Sequence, residues 1–390
     1  MIPFEQAQSI IKDHVNALDT ESVSLLESNG RVLAVDVTAH RDVPVGDMSA
    51  MDGFACRASD REMQLTVIDT IAAGDKPEKK IGPDQCSRIM TGAMLPQGAD
   101  CVVMFEDTEE ADGMVRVKTL SDQWNVRRSG EDLKKGDLVL KTGTRIHPAI
   151  IALLATEGHD PVTVFRQPKV GIIATGDEVI EPKEIPKDFQ IRNSNSYQLH
   201  AQIQQVGCLP TYYGIASDTP ESIGALFDKA VDQCDVILLS GGVSAGDYDY
   251  VIPMLNERNV RIHFHGVAVK PGKPTLFADL NETFIFGLPG NPVSTLIIFE
   301  MLVKPFLYGI MGHDFQHRRI QAKLKEDIRR KKSRRLEFIP VVLSQDNTVR
   351  RVPYHGSAHI NAYTHVNGVT SIPKGVLEME KGAIVEVLLV

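Results

Sequence analysis

The sequence predicts a multidomain chain. Its centre is a doubly wound, mostly parallel α/β domain, accompanied by an inserted β-rich domain, a helical linker domain and a small all-β carboxyl-terminal domain. Three observations predict this outline. Between residues 169 and 307, apolar runs of strand length alternate with helix-length amphipathic runs, as βα units with parallel strands require. Residues 41–129 are rich in β-branched side chains and in turn pairs (Asp52-Gly53, Gly74-Asp75, Gly82-Pro83, Asp112-Gly113), which marks mostly β structure. At 390 residues the chain is too long for a single core.

The elements follow in order. Residues 4–18 read as a helix with Ile10, Ile11, Val15 and Leu18 on one face. Residues 148–157 form a second helix after Pro148. Together, 1–40 and 130–167 form an elongated helical linker domain into which 41–129 is inserted. The α/β domain, 168–311, begins with a strand at 169–174. A helix at 194–206 follows, capped by Asn193 or Ser194, and then a short strand at 212–215. Thr219-Pro220-Glu221 opens the next helix with a capping hydroxyl, a proline at the first helical position and an acid in the first turn. A buried strand at 235–240, a helix at 248–257, a strand at 284–288 and a helix at 292–307 complete the domain. From about residue 312 short alternating stretches predict a small all-β domain, 312–390. The basic run 329–335 reads as a solvated loop or as a positive lip over an anionic ligand.

Composition narrows the function. The formal net charge is −9, which argues against a general nucleic-acid binder but leaves room for a locally positive site. The five cysteines form no Cys-x-x-Cys pair and read as reduced buried thiols. The amino terminus lacks a signal-peptide pattern. The longest apolar stretch, 295–311, is broken by Glu300, Lys304 and Pro305 and reads as too short and too charged to span a bilayer. The expectation is a cytoplasmic protein.

Strand ends carry the chemistry. Each of four motifs ends or follows an apolar run, so they should meet at the carboxyl edge of the sheet, where open α/β folds bind ligands. Thr175-Gly-Asp-Glu178 offers a hydroxyl to a phosphate, and Asp177 or Glu178 offers a hard oxygen to Mg²⁺. In Ser240-Gly-Gly-Val-Ser-Ala-Gly-Asp-Tyr-Asp249, Gly241, Gly242 and Gly246 let backbone N–H groups converge on an anion. Ser240 and Ser244 add donors, and Asp249 lies at a helix entry. Lys270-Pro-Gly-Lys-Pro274 sets two ammonium groups on a stiffened loop. Gly287-Leu-Pro-Gly-Asn-Pro-Val-Ser294 runs from strand into helix, where Pro292 suits the first turn and leaves the neighbouring N–H groups free to meet an anion; Pro289, Gly290 and Asn291 form the loop and Ser294 is a further donor. In the amino-terminal half, Asp52 in Ser49-Ala-Met-Asp-Gly and Thr91 in Met90-Thr-Gly-Ala are candidate functional side chains, though simple turns explain them as well. His263 and His265 alternate on a strand without an evident third ligand, so a zinc site is not expected.

These motifs resemble, in order, those of the molybdopterin molybdenumtransferase family, which includes bacterial MoeA and the gephyrin E domain. The resemblance is specific from the amino terminus to about residue 310 and looser beyond. It implies that the α/β domain is molybdopterin-adenylyltransferase-like and the last domain a small β barrel, and it implies a homodimer that takes adenylylated molybdopterin and molybdate, cleaves the adenylate with Mg²⁺ and releases AMP. It further implies that Glu178, Asp218 and Asp249 hold the Mg²⁺, that Ser244 meets the phosphates, and that Lys270 and Lys273 bind molybdate or the phosphate bridge beside Pro274 and Ser294. Asp52 and Thr91 would act from the partner's β domain, and Ser357 and Arg335 would complete the oxyanion pocket. Implied protein partners are the preceding adenylyltransferase and molybdoenzyme chaperones. Two departures stand out. Gly266 occupies a place that is basic in some members, and Ser333-Arg-Arg-Leu-Glu-Phe338 replaces Gly-Arg-x-Glu-Phe, so Arg334 competes with Arg335. Two other readings remain: a molybdopterin adenylyltransferase, against which roughly 180 extra amino-terminal residues count, and a gephyrin-like scaffold without chemistry.

Overall fold

The computed structural model describes residues 1–244 and 249–390. By contact the chain forms two compact units, one of residues 1–34, 143–151 and 161–390, the other of residues 35–142 and 152–160.

The larger unit is organised by a six-stranded sheet. In spatial order its strands are Leu209–Ala216, Lys169–Thr175, Val236–Ser240, Thr283–Leu288, Leu276–Leu280 and Arg261–His265. The first four run parallel; Leu276–Leu280 is antiparallel to both of its neighbours, so Arg261–His265 again points the same way as the first four. Alternation along the strands sends side chains to opposite faces. Ile172, Leu238 and Phe286 join one buried cluster with Leu199 and Ile203 of helix Asn195–Val206 and with Phe299 and Phe306. Ile173, Leu239 and Ile285 join a second with Ile223 and Phe227 of helix Pro220–Val231 and Met254 of helix Val251–Glu257. Both faces are covered, so the sheet is doubly wound, and its central strands read as unbroken apolar runs for that reason.

Several elements differ from expectation. The first helix ends at Asp13, not at residue 18. Beyond it Val15 and Leu18 still pack on the core, and Leu18 N–H donates to the Ile310 carbonyl, so the apolar face continues without helical backbone. The strand expected at 212–215 spans Leu209–Ala216. The Leu276–Leu280 strand was not foreseen. The predicted start of the 248–257 helix lies outside the described residues, and its helical part is Val251–Glu257. Helix 194–206 is capped by Asn193, whose Oδ1 accepts from Ser196 N–H at 3.1 Å. Ser194 makes no such bond.

The helix predicted at 292–307 runs from Pro292 to Ile310 through a π-helical turn at Phe299–Val303. Pro305 has no N–H to give the Met301 carbonyl, which is one reason for a widened turn just before it. At 19 residues this helix is long and apolar enough to cross a membrane by length and composition, contrary to the sequence reading, but 78% of its apolar 18-residue window is buried inside the protein.

The carboxyl-terminal strands Arg319–Leu324, Leu336–Leu343, Thr348–Arg351, Gly368–Ile372 and Ile384–Leu389 close into a barrel, because Leu336–Leu343 pairs with both Thr348–Arg351 and Gly368–Ile372. Its interior holds Leu324, Ile339, Val341, Val349, Ile372, Val385 and Val387. The short strand Val269–Lys270 adds to its edge, parallel to Leu336–Glu337.

The smaller unit carries a second six-stranded sheet, ordered Cys101–Met104, Gly53–Cys56, Gln85–Ile89, Gln64–Ile71, Met114–Val117 and Thr108–Ala111. All five cysteines of the chain are buried and free.

Candidate functional site

At the carboxyl edge of the parallel strands lies a cavity of about 940 Å³. Strand Lys169–Thr175 delivers Thr175, Gly176 and Glu178 to its wall. Strand Val236–Ser240 delivers Ser240, Gly241, Gly242 and Ser244, and Asp249 lies further along the same loop. The loop after Leu288 supplies Pro289, Gly290, Asn291 and Ser294. Lys270, Lys273 and Pro274 come from the lysine loop, Asp218 from the turn after Leu209–Ala216, and Arg335 and Ser357 from the barrel. Gly246 lies outside the described residues. Of the two candidate arginines it is Arg335 that reaches the wall, where its Nη1 donates to the Val269 carbonyl at 3.1 Å. Asp52 and Thr91 belong to the smaller unit. There they meet each other, since Thr91 donates its N–H at 2.6 Å and its hydroxyl at 2.8 Å to Asp52 Oδ1. The Thr91 backbone and hydroxyl hold the Asp52 carboxyl below its ordinary range.

The acidic side of the cavity is locked by backbone. Asp177 N–H donates to Asp218 Oδ2 at 3.3 Å, and Asp218 N–H donates to Asp177 Oδ1 at 3.1 Å. Burial pushes the Asp218 carboxyl up, and the neighbouring charges of Asp177, Glu178 and Asp249 push the same way against the Asp177 hydrogen bond. Such crowding of carboxylates is relieved by a cation. Among the described residues the one group of three ligand atoms all within 4.8 Å is His14, His263 and Asp279, so Glu178, Asp218 and Asp249 do not form a closed protein cage. They are the carboxylates on this wall that could hold a divalent cation together with water and a ligand's oxygens.

Two buried oxygens on the wall, Thr175 Oγ1 and Asn195 Oδ1, have no hydrogen-bond partner among the described residues. Sequence reasoning missed Asn195. Its Nδ2 donates to Ser240 Oγ at 2.9 Å and to the Gly290 carbonyl at 2.7 Å, so it ties two of the glycine loops together. The polar run Asn193-Ser-Asn-Ser196 at a helix entry was the available signal. The glycines also need a revised explanation. A Cβ on Gly241 would lie 2.8 Å from both the Thr175 carbonyl oxygen and Oγ1, at a φ of +101°. The loop is glycine first because it packs on the neighbouring strand end.

His263 finds the third partner the sequence did not show, Asp279, and the His14 ring lies tilted against that of His263 at 4.0 Å between centroids. Arg261 already donates to both Asp279 oxygens at 3.0 Å, so the cluster is an ion pair on the sheet edge. His265 bonds the Val243 carbonyl instead. The basic run divides between the two expectations: Lys331, Lys332 and Arg334 are exposed in an irregular segment, Arg335 lines the cavity, and the first two arginines are structural. Arg329 pairs with Glu378, while Arg330 has a 5% exposed side chain.

Glycine turns, hydroxyl and amide groups, two ammonium groups and clustered carboxylates around one cavity define a protein with a site for a large anionic ligand. Comparisons with known proteins narrow this class. Residues 2–158 match the model of the MoeA N-terminal region (domain I and II), residues 171–309 the probable molybdopterin binding domain, and residues 321–390 the MoeA C-terminal region (domain IV). The molybdopterin molybdenumtransferase of Bacillus subtilis is 36% identical over 404 residues, covering 100% of this chain and 94% of that protein. The Staphylococcus epidermidis protein of the same name is 35% identical over 396 residues, with 99% and 94% covered. The crystal structure of the molybdopterin biosynthesis MoeA protein from Pyrococcus horikoshii superposes with a TM-score of 0.86 at 30% identity, covering 100% of both chains. The chain belongs to the MoeA family.

Proposed function

We propose that this protein is a molybdopterin molybdenumtransferase that binds adenylylated molybdopterin and molybdate in the cavity and releases AMP as molybdenum passes to the pterin dithiolene. The observation that carries this reading is the meeting of Glu178, Asp218 and Asp249 with Lys270 and Lys273 on one wall system. Two anions must be brought together, and fixed cations and donors lower the cost of doing so. Lys270, Lys273 and Arg335 offset the oxyanion charge. Ser240, Ser244, Thr175 and the N–H groups of the glycine loops donate to phosphate oxygens. Glu178, Asp218 and Asp249 would hold Mg²⁺, which when bound neutralises phosphate charge and stabilises the leaving AMP. In a homodimer, the Asp52–Thr91 pair of one copy would serve the site of the other.

The test is AMP release from adenylylated molybdopterin. Release should require molybdate and Mg²⁺, and Lys273→Ala should lose at least about a hundredfold in rate while keeping its thermal midpoint. Accumulation of adenylate from ATP and free molybdopterin would assign the preceding step instead, and unchanged turnover in Lys273→Ala would remove the lysine loop from the mechanism.

A further inference from the structure

The two lysines of the 270–274 loop are not equivalent. Lys273 is exposed and its ammonium makes no hydrogen bond or ion pair among the described residues. Lys270 donates its ammonium to Glu337 Oε1 at 2.7 Å. Backbone register builds this contact, because Val269–Lys270 pairs in parallel with Leu336–Glu337 and sets Lys270 opposite Glu337. The lysine side chain is half exposed and the carboxylate only 7% exposed.

A buried carboxylate must be compensated, and Glu337 is held from behind. Arg330 Nη1 lies 3.6 Å from its Oε2. That guanidinium is itself immobilised, donating to the carbonyls of Arg335 at 2.8 Å, Val376 at 2.7 Å and Pro373 at 2.5 Å. Glu337 therefore stands in a fixed frame, and the flexible lysine stem is the part being directed. An ammonium has three N–H donors. One is spent on Glu337, which leaves two for the cavity that Lys270 lines.

We propose that Glu337 is a positioning residue for the reaction, the buried carboxylate that aims Lys270 at the oxyanion, while Lys273 supplies the undirected charge. This rests on the reading that the lysine loop binds an oxyanion. It predicts that Glu337 acts only through Lys270. The experiment is single-turnover, molybdate-dependent AMP release by the full chain, read as kcat/KM for molybdate, in wild type, Glu337→Gln, Lys270→Ala and the double variant. Glu337→Gln should lose about tenfold, and the double variant should be no slower than Lys270→Ala. Losses that multiply, or a Glu337→Gln rate within about twofold of wild type, overturn the proposal. A wild-type rate in Lys270→Ala overturns instead the prior assignment of the lysine loop. Thermal midpoints check folding. If Glu337→Gln does not fold, Glu337→Asp keeps the charge against Arg330 but stops one methylene short of Lys270, and it must show the same loss and the same non-additivity for the proposal to stand.

Discussion

Replacing Gly241 by alanine isolates the packing of the glycine loop from its contact with ligand. Gly241 has a φ of +101°, and an alanine Cβ there would stand 2.8 Å from the Thr175 carbonyl oxygen and 2.8 Å from its Oγ1. Placing an L side chain in that backbone region costs about 1–2 kcal/mol. Carbon–oxygen contacts normally begin near about 3.3 Å, so roughly half an ångström of overlap must be relieved. Thr175 cannot give way cheaply, because its strand is paired on both sides, to Leu209–Ala216 and Val236–Ser240. Overpacking of this kind costs about 1–3 kcal/mol, for a total of about 2–5 kcal/mol. At roughly 2–4 °C per kcal/mol for a unit of this size, the midpoint should drop by about 5 °C or more. AMP release should fall at least about tenfold, since small displacements of positioning groups are expensive in rate. Gly290→Ala is the control, because its Cβ would meet only the Gly241 Cα, at an ordinary 3.7 Å, and its stability should stay within about 1 kcal/mol of wild type. Thermal unfolding with the turnover assay on both variants decides the matter. A Gly241→Ala protein with wild-type midpoint and rate would refute the steric account.

Two further outcomes are expected. Burial opposes ionisation of Asp235, but Arg166, donating at 2.6 and 2.7 Å, and the Lys169 N–H at 2.8 Å overcome it and hold the carboxyl below its ordinary value. Its stabilising contribution is thus complete above the unfolded value near about pH 3.9 and is lost as pH falls through the folded value. Asp235→Asn should therefore cost about 1–3 kcal/mol at pH 7 and flatten the acid limb of the stability curve, whereas a constant gap between the two proteins down to about pH 3 would count against this coupling. Thr91→Ala should lower AMP release while leaving the midpoint unchanged, and Thr91→Ser, which keeps the hydroxyl on Asp52, should restore it; equal loss in both variants would mean that the hydroxyl is not what matters.

The four glycine-rich motifs were legible because each ends or follows a strand, and strand ends of one parallel sheet must share an edge. Helix Pro220–Val231 was legible from its cap, and Thr219 Oγ1 does accept the Ser222 N–H at 3.1 Å. What escaped was set at long range. Glu337 lies 67 residues from Lys270, and only barrel register brings them together. Asn195 looked like one more polar residue at a helix start, since nothing local shows that its amide reaches Gly290. The antiparallel strand Leu276–Leu280 was missed because a short apolar run does not announce its pairing. The first helix was drawn too long because Val15 and Leu18 keep helical spacing while the backbone has already turned.

The backbone ties between barrel and lysine loop also set a timetable. Leu336 N–H donates to the Ala268 carbonyl, and Val293 N–H to the Ser357 carbonyl. A nascent chain emerging from the ribosome makes every sheet strand before it makes these partners. The pocket is therefore finished last, and a polypeptide clipped beyond the central sheet would keep most of its walls yet lack the residues that complete them.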